Sequence, residues 1–330
     1  MKTTQNHIIF CSGGKSSFAV ADYVKSNYPE DNIVLYFTDV MWENFDLYRF
    51  IDEASDKLQL PMLTHSRGIN PIQLMFEQKV IFNSLIGACS RILKMEVASN
   101  YLKKNITPPI EKWRNKHYLK NENFVDNAIL YFGIGFEEMH RAKAIIDNWK
   151  PFEVRMPLID HNISIDAVLK KYNIRQPILY DYGFAHNNCN GRCVKAGQGH
   201  FMNLHHKMPE VYQEVMQQEH YLKLYVSAYH YIKNIDEHGF SEETRNLWLQ
   251  ELDNAYRDYF YGRKSKPDVY IQPNLSIKLH SFMKKTKDKV TSPYPLTFLK
   301  RDIQNEGEQI DIFDIGGCGC FSDPMSVCVL

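Results

Sequence analysis

The stretch Ile8-Ile9-Phe10-Cys11-Ser12-Gly13-Gly14-Lys15-Ser16-Ser17-Phe18-Ala19-Val20 decides how this chain folds. An apolar run stops at a small glycine-containing turn with one lysine and three serines, then resumes with helix-forming residues. A strand, a Ser-Gly-Gly-Lys-Ser-Ser turn and a helix in that order form a phosphate-binding arrangement. Glycines let backbone amides approach an anion, the helix N-terminus adds donors and a favourable dipole, and hydroxyls complete the shell. The Gly-x-x-x-x-Gly-Lys-[Ser/Thr] spacing of the Walker loop is absent.

Around this turn, short apolar runs alternate with helical patterns as far as about residue 180. His7–Phe10, Asn32–Phe37, Leu60–Thr64 and Ala128–Gly133 read as strands. Phe45–Leu58, residues 88–104 and the Ser164-capped run to Tyr172 read as helices. Such alternation predicts a Rossmann-like α/β domain over residues 1–200, a parallel sheet sandwiched by helices. Its ligands are expected at the carboxyl ends of the strands. Residues 105–127 read as an insertion or mobile loop. Beyond residue 200 the pattern changes: Pro209–Lys233 and Ser241–Tyr261 predict long aromatic-rich helices in a mainly helical region, 201–330.

The chain has 330 residues, enough for two domains of ordinary size. Lys+Arg and Asp+Glu both number 39, so net charge does not identify a partner. No run approaches the ~18 apolar residues of a membrane span. Met1–His7 leads directly into the first strand pattern, which leaves no room for a signal peptide. The expected location is cytoplasmic, and there the seven cysteines read as thiols, metal ligands or redox groups rather than disulfides.

Several segments carry a family resemblance. The Ser12–Ser17 turn resembles the Ser-Gly-Gly-Lys-Asp-Ser loop of the PP-loop ATP pyrophosphatase (adenine nucleotide alpha hydrolase) superfamily. Tyr36–Glu43, Gly87–Lys94, Gly133–Arg141, Pro157–Asp160 and Leu179–Phe184 follow in the order of one branch. That branch contains the phosphoadenosine phosphosulfate reductases, the small subunit of ATP sulfurylase and the sulfur-insertion proteins of DNA phosphorothioation. The resemblance covers about residues 5–200. It implies that Ser12, Gly13, Gly14, Lys15, Ser16 and Ser17 hold the phosphates of ATP or phosphoadenosine phosphosulfate, with Mg²⁺ beside them. It puts Asp39 near the adenosine and Gly133 near its ring. Lys15, Lys94, Glu138 and Arg141 become the catalytic candidates, the last two facing the phosphate or sulfate end. Ser16 departs from the usual Asp and is a weaker ligand for a hard cation.

Cys189 and Cys193, in Cys-x-x-x-Cys spacing, lie where the iron–sulfur reductases of this branch carry a Cys-x-x-Cys. With Cys318 and Cys320 they make four soft ligands suited to Zn²⁺ or an iron–sulfur cluster. Alternatively Cys318 and Cys320 form a mobile redox pair, or the cysteines are buried thiols in glycine-rich turns. Cys11 reads as core packing, and His186 is the histidine set apart by its place beside the first pair. From Arg263 to Arg301, ten Lys/Arg face two acids among interspersed aromatics. This strip reads either as a nucleic-acid contact or as a solvated face.

Three functions are therefore expected. One is ATP-dependent adenylation with pyrophosphate release, coupled to sulfur transfer or nucleic-acid modification and served by a sulfur-donor protein. The second is thiol-dependent reduction of phosphoadenosine phosphosulfate or adenylyl sulfate, with Cys318 or Cys320 as nucleophile. The third is a non-catalytic nucleotide-binding module that docks on nucleic acid or a partner.

Overall fold

A computed structural model describes residues 4–83, 87–234, 240–268, 280–287 and 289–306. The described residues fall into two compact units, one made from 4–69 and 88–193, the other from 70–87 and 194–306.

In the first unit, β1 (Asn6–Phe10), β2 (Asn32–Thr38), β3 (Met62–Ser66), β4 (Ile110–Arg114), β5 (Ile129–Phe132) and β6 (Glu153–Arg155) form one sheet. Its order is β4-β3-β2-β1-β5-β6. Every pairing is parallel except β3 with β4. The strand side chains alternate between two buried faces, as expected where helices cover a parallel sheet on both sides. Ile8, Phe10, Val34, Tyr36, Leu130 and Phe132 pack with Trp149 and Met95 on one side. Ile9, Leu35, Phe37 and Tyr131 pack with Phe18, Leu47 and Phe50 on the other. Cys11 belongs to this second cluster, and burial pushes its thiol up to about 12, so it packs as an apolar group.

The longer helices over this stretch of chain are α1 (Lys15–Asn27), α2 (Phe45–Leu58), α3 (Pro71–Gln78), α4 (88–104), α5 (Ala142–Trp149) and α6 (Ile165–Tyr172). Their starts follow local chemistry. Asn44 caps α2, Asn70 and Gln73 form a reciprocal capping box on α3, and the Ser164 hydroxyl accepts from Ala167 N–H at 3.3 Å. α4 is not uniform. Ala88–Ser90 is followed by a π turn, Arg91–Met95, before regular helix resumes at Glu96–Lys104.

Three sequence expectations change. β3 starts at Met62 rather than Leu60, because Leu60 N–H closes the end of α2 on Ser55 C=O at 3.1 Å. Residues 105–127 are not a bare loop: they supply β4, the antiparallel edge strand, with Trp113 packed against the core. The segment 70–78, unassigned from sequence, is a capped helix that belongs with the second unit.

In that unit, α7 (Gln198–Lys207) packs on α8 (Pro209–Lys233), and α8 and α9 (Glu242–Phe260) pack with α3, followed by a ribbon of β7 (Met283–Lys287) and β8 (Val290–Tyr294) and by α10 (Leu296–Glu306). The aromatic positions read from sequence are the packing surface. Phe76 meets Tyr225 and Phe260 at centroid distances of 4.7 and 5.0 Å. The buried Glu219 carboxylate accepts from Phe282 N–H at 2.8 Å and Leu296 N–H at 2.7 Å, stapling both ends of the ribbon to α8.

Candidate active site

The order β2-β1-β5 creates a switch point. From β1 the chain moves outward to β2 and β3, and β5 then lies on the opposite side of β1. At the carboxyl ends of β1 and β5 lies an open cleft. Ligands of open α/β sheets bind at this position. Phe10, Phe132 and Ile134 form its apolar side. Ser12, Gly14, Ser16, Gly133, Glu138 and Arg141 come to it from the predicted set, and Tyr180, His186, Asn187 and Asn188 complete it.

The glycine turn is built as its composition requires. Gly13 has φ +76°, and a Cβ there would stand 2.4 Å from the Leu47 side chain. Gly14 precedes α1 in extended conformation, so the first amides of α1 open toward the turn. Ser17 turns inward and donates to Gly14 C=O at 2.8 Å. Across the cleft, a Cβ on Gly133 would lie 2.8 Å from Ser17 N, so only glycine lets β5 approach the start of α1. Asn187, buried, donates to Gly13 C=O at 2.8 Å and holds the far rim onto the turn.

Lys15 is the first residue of α1. Its Nζ lies 5.0 Å from the centre of the Tyr180 ring and 3.4 Å from Gln176 Oε1, beside the cleft rather than among its lining residues. Glu138 and Arg141 share a short 3₁₀ helix, Phe136–Arg141, and form an ion pair at the cleft wall. Burial lowers the His186 pKa below its ordinary 6.5, with Glu138 opposing and Arg141 reinforcing the shift.

Asp39 and Lys94 occupy a neighbouring layer and do not line the cleft. Asp39 accepts from Met41 N–H at 2.7 Å and Tyr48 O–H at 2.9 Å. Lys94 sits on the π turn, buried, with Nζ 3.4 Å from Glu43 Oε1. The other Glu43 oxygen accepts from Cys189 N–H. Burial raises the Glu43 pKa, and Lys94 and that amide pull it back. Trp42 and Asn44 extend the same grip: Trp42 stacks under the Arg192 guanidinium at 4.3 Å, and Asn44 donates to Asn190 at 2.6 Å. Three consecutive residues after β2 thus clamp the loop that contains Cys189 and Cys193.

Both of those cysteines are buried. Among the described residues no three His, Cys, Asp or Glu side chains gather as a metal site. Cys318 and Cys320, the other half of the expected quartet, lie outside the described residues.

Sequence reasoning gave no role to Glu43, Tyr180 or Asn187. All three lie in or beside the runs quoted above, but their contacts span from 146 to 174 positions, and no local pattern signals such partners.

No curated protein and no solved structure matches the chain. No helix among the described residues is long and apolar enough to cross a membrane. From β1 into β4, residues 6–111, the chain matches the family model of the phosphoadenosine phosphosulfate reductase domain, consistent with the phosphoadenosine phosphosulfate reductase-like branch of the PP-loop superfamily.

Proposed function

We propose that this chain is a PP-loop enzyme that binds ATP at the β1–β5 cleft and transfers its adenylyl group with release of pyrophosphate, in service of sulfur transfer or nucleic-acid modification. One observation carries the reading: the glycine turn, the amides of α1 and the Glu138–Arg141 pair converge on a single cleft at the switch point of the sheet. Phe10, Phe132 and Ile134 offer an apolar seat for the adenine, and Gly133 gives it room. Ser12, Gly14 and Ser16 present backbone and hydroxyl donors to the phosphates, as preorganised dipoles that stabilise charge on the leaving pyrophosphate. Mg²⁺, when bound, would neutralise that charge further, and Ser16 is the neutral oxygen nearest to the role. Lys15 swings from Gln176 to the phosphates, and Arg141 exchanges part of its contact with Glu138 for the nucleotide.

A second reading, reduction of phosphoadenosine phosphosulfate or adenylyl sulfate, draws support from the family match itself. It requires a thiol nucleophile, and Cys318 or Cys320 is the candidate. For the acceptor, the exposed Lys284 and Lys289 of the β7–β8 ribbon favour a nucleic acid. Lys285 and Arg301 are engaged with Asp302 at 3.3 and 2.8 Å.

Incubation of the full chain with Mg²⁺ and either nucleotide separates the readings. Pyrophosphate released from ATP in the presence of an acceptor, and lost in Lys15→Glu, supports adenylation. Sulfite released from phosphoadenosine phosphosulfate, and lost in Cys318→Ser or Cys320→Ser, supports reduction and rejects the first proposal. Metal analysis of anaerobically prepared protein, with Cys189→Ser and Cys318→Ser beside it, tests the four-cysteine site. Unchanged metal content in both variants would reject it.

A further inference from the structure

The charge inventory of the cleft is incomplete for its ligand. Its charged lining residues, among those described, are Glu138 and Arg141, which are paired with each other. A polyphosphate with several negative charges would meet a wall of nearly zero net charge, with Lys15, turned to Gln176 beside the cleft, and Mg²⁺ as the cations that the proposed reading adds to it. His186 is the remaining titratable imidazole on that wall. Neither of its ring nitrogens has a hydrogen-bond partner among the described residues, unlike those of His7 and His65, which are each engaged on both sides. Its position is not left to a loose loop. The next residue, Asn187, is buried and bonded to the Gly13 carbonyl, so the chain beside His186 is tied to the phosphate-binding turn, and the imidazole lines the same cleft as Ser12, Gly14 and Ser16.

We propose that His186 is a phosphate contact that takes up a proton as the nucleotide binds. The inference rests on the cleft being the nucleotide site. In the free protein, burial and Arg141 keep the imidazole neutral at pH 7, opposed only by Glu138. Tyr180, the other titratable group on this wall, has its pKa raised by burial and stays neutral as well. Bound phosphate reverses the balance, because an opposite charge within a few ångströms favours the protonated form. Linkage is reciprocal: if nucleotide raises proton affinity, protons raise nucleotide affinity. The proton comes from solvent and settles on the free ring nitrogen, and no covalent bond changes.

Calorimetric titration of ATP into the full chain, in buffers of different ionisation enthalpy between pH 6 and 8, measures both quantities. Wild type should take up a fraction of a proton per ATP near pH 7. Its affinity should fall by up to about tenfold per pH unit as pH rises. His186→Gln should bind ATP as wild type does at pH 8, without the gain at pH 6. His186→Lys should hold its affinity across the range, because its charge is permanent there. Equal proton uptake in wild type and His186→Gln overturns the proposal. So does uptake that persists in His186→Gln and vanishes in Glu138→Gln, which would make Glu138 the proton site. Binding by wild type with no pH dependence rejects the role of His186 alone. Failure of wild type to bind ATP at any pH rejects the nucleotide cleft and this inference together.

Discussion

Two loops meet at the cleft, and both leave the ordinary backbone regions by different means. The phosphate turn does so at a glycine, Gly13 with φ +76°, where the left-handed region is freely allowed. The cysteine loop does so at Cys189, Asn190 and Gly191, with φ of 52°, 50° and 72°, two of them not glycine. Non-glycine residues hold that conformation at a cost and persist only where their surroundings over-determine them. Here the surroundings are Trp42, Glu43 and Asn44, each holding one residue of the loop. One loop carries its shape in its own composition. The other has its shape imposed from 146 residues away.

The largest effect expected from breaking this difference is at Glu43. Glu43→Ala takes the carboxylate away from the buried Lys94 and the acceptor away from the Cys189 amide, so it should cost about 3–5 kcal/mol in urea unfolding. Glu43→Gln combined with Lys94→Met should recover much of that loss. If Glu43→Ala costs less than about 1 kcal/mol, the clamp does not hold the loop.

A contrast comes from the second unit, where Glu219 staples two backbone amides and, among the described residues, forms no ion pair, with Lys223 acting on it only from a distance. Burial pushes its carboxyl up to about 7 from an ordinary 4.5. The folded state therefore binds this proton more tightly than the unfolded chain. The associated stability is full below pH 4.5 and is lost as pH rises through about 7. Wild type should lose about 3 kcal/mol more between pH 4 and 8 than Glu219→Gln does. Parallel pH profiles would show that Glu219 does not titrate in that window.

Gly13→Ala tests the turn that advertises itself. A side chain at that φ, pressed on Leu47, should cost about 1–3 kcal/mol and abolish ATP binding. Wild-type affinity in a folded Gly13→Ala variant would mean the nucleotide lies elsewhere. The smallest effect is at Asn190. Asn190→Ala removes the bond to Asn44 and the tolerance of asparagine for the left-handed region, costing about 1 kcal/mol. Cys189 and Cys193 should then react faster with a thiol reagent, and unchanged reactivity would separate loop strain from thiol burial.

Much of the first unit was legible because its signals are local. Continuous apolar runs mark strands buried on both faces, and Ser164 announces a helix start there as Ser241 does in the second unit. The bounds of α2, α6 and α8 coincide with their sequence patterns for that reason. β4 was not legible. Ile110–Arg114 is short, follows two prolines and carries charges, as edge strands do, and it becomes a strand only by pairing with β3. The π turn under Lys94 was equally silent, since Arg91–Met95 reads as ordinary helix.

By itself, then, the order of residues determined where most of the strands and helices form and that a glycine turn follows β1, because backbone freedom, capping and hydrophobic periodicity act within a few positions. Only the tertiary structure decided which residues share the cleft. It set Lys94 against Glu43 rather than in the open wall, brought Asn187 onto Gly13, and put His186 in the cleft wall. Burial and electrostatics act through space, and the chain must close on itself before they can select partners so distant in sequence.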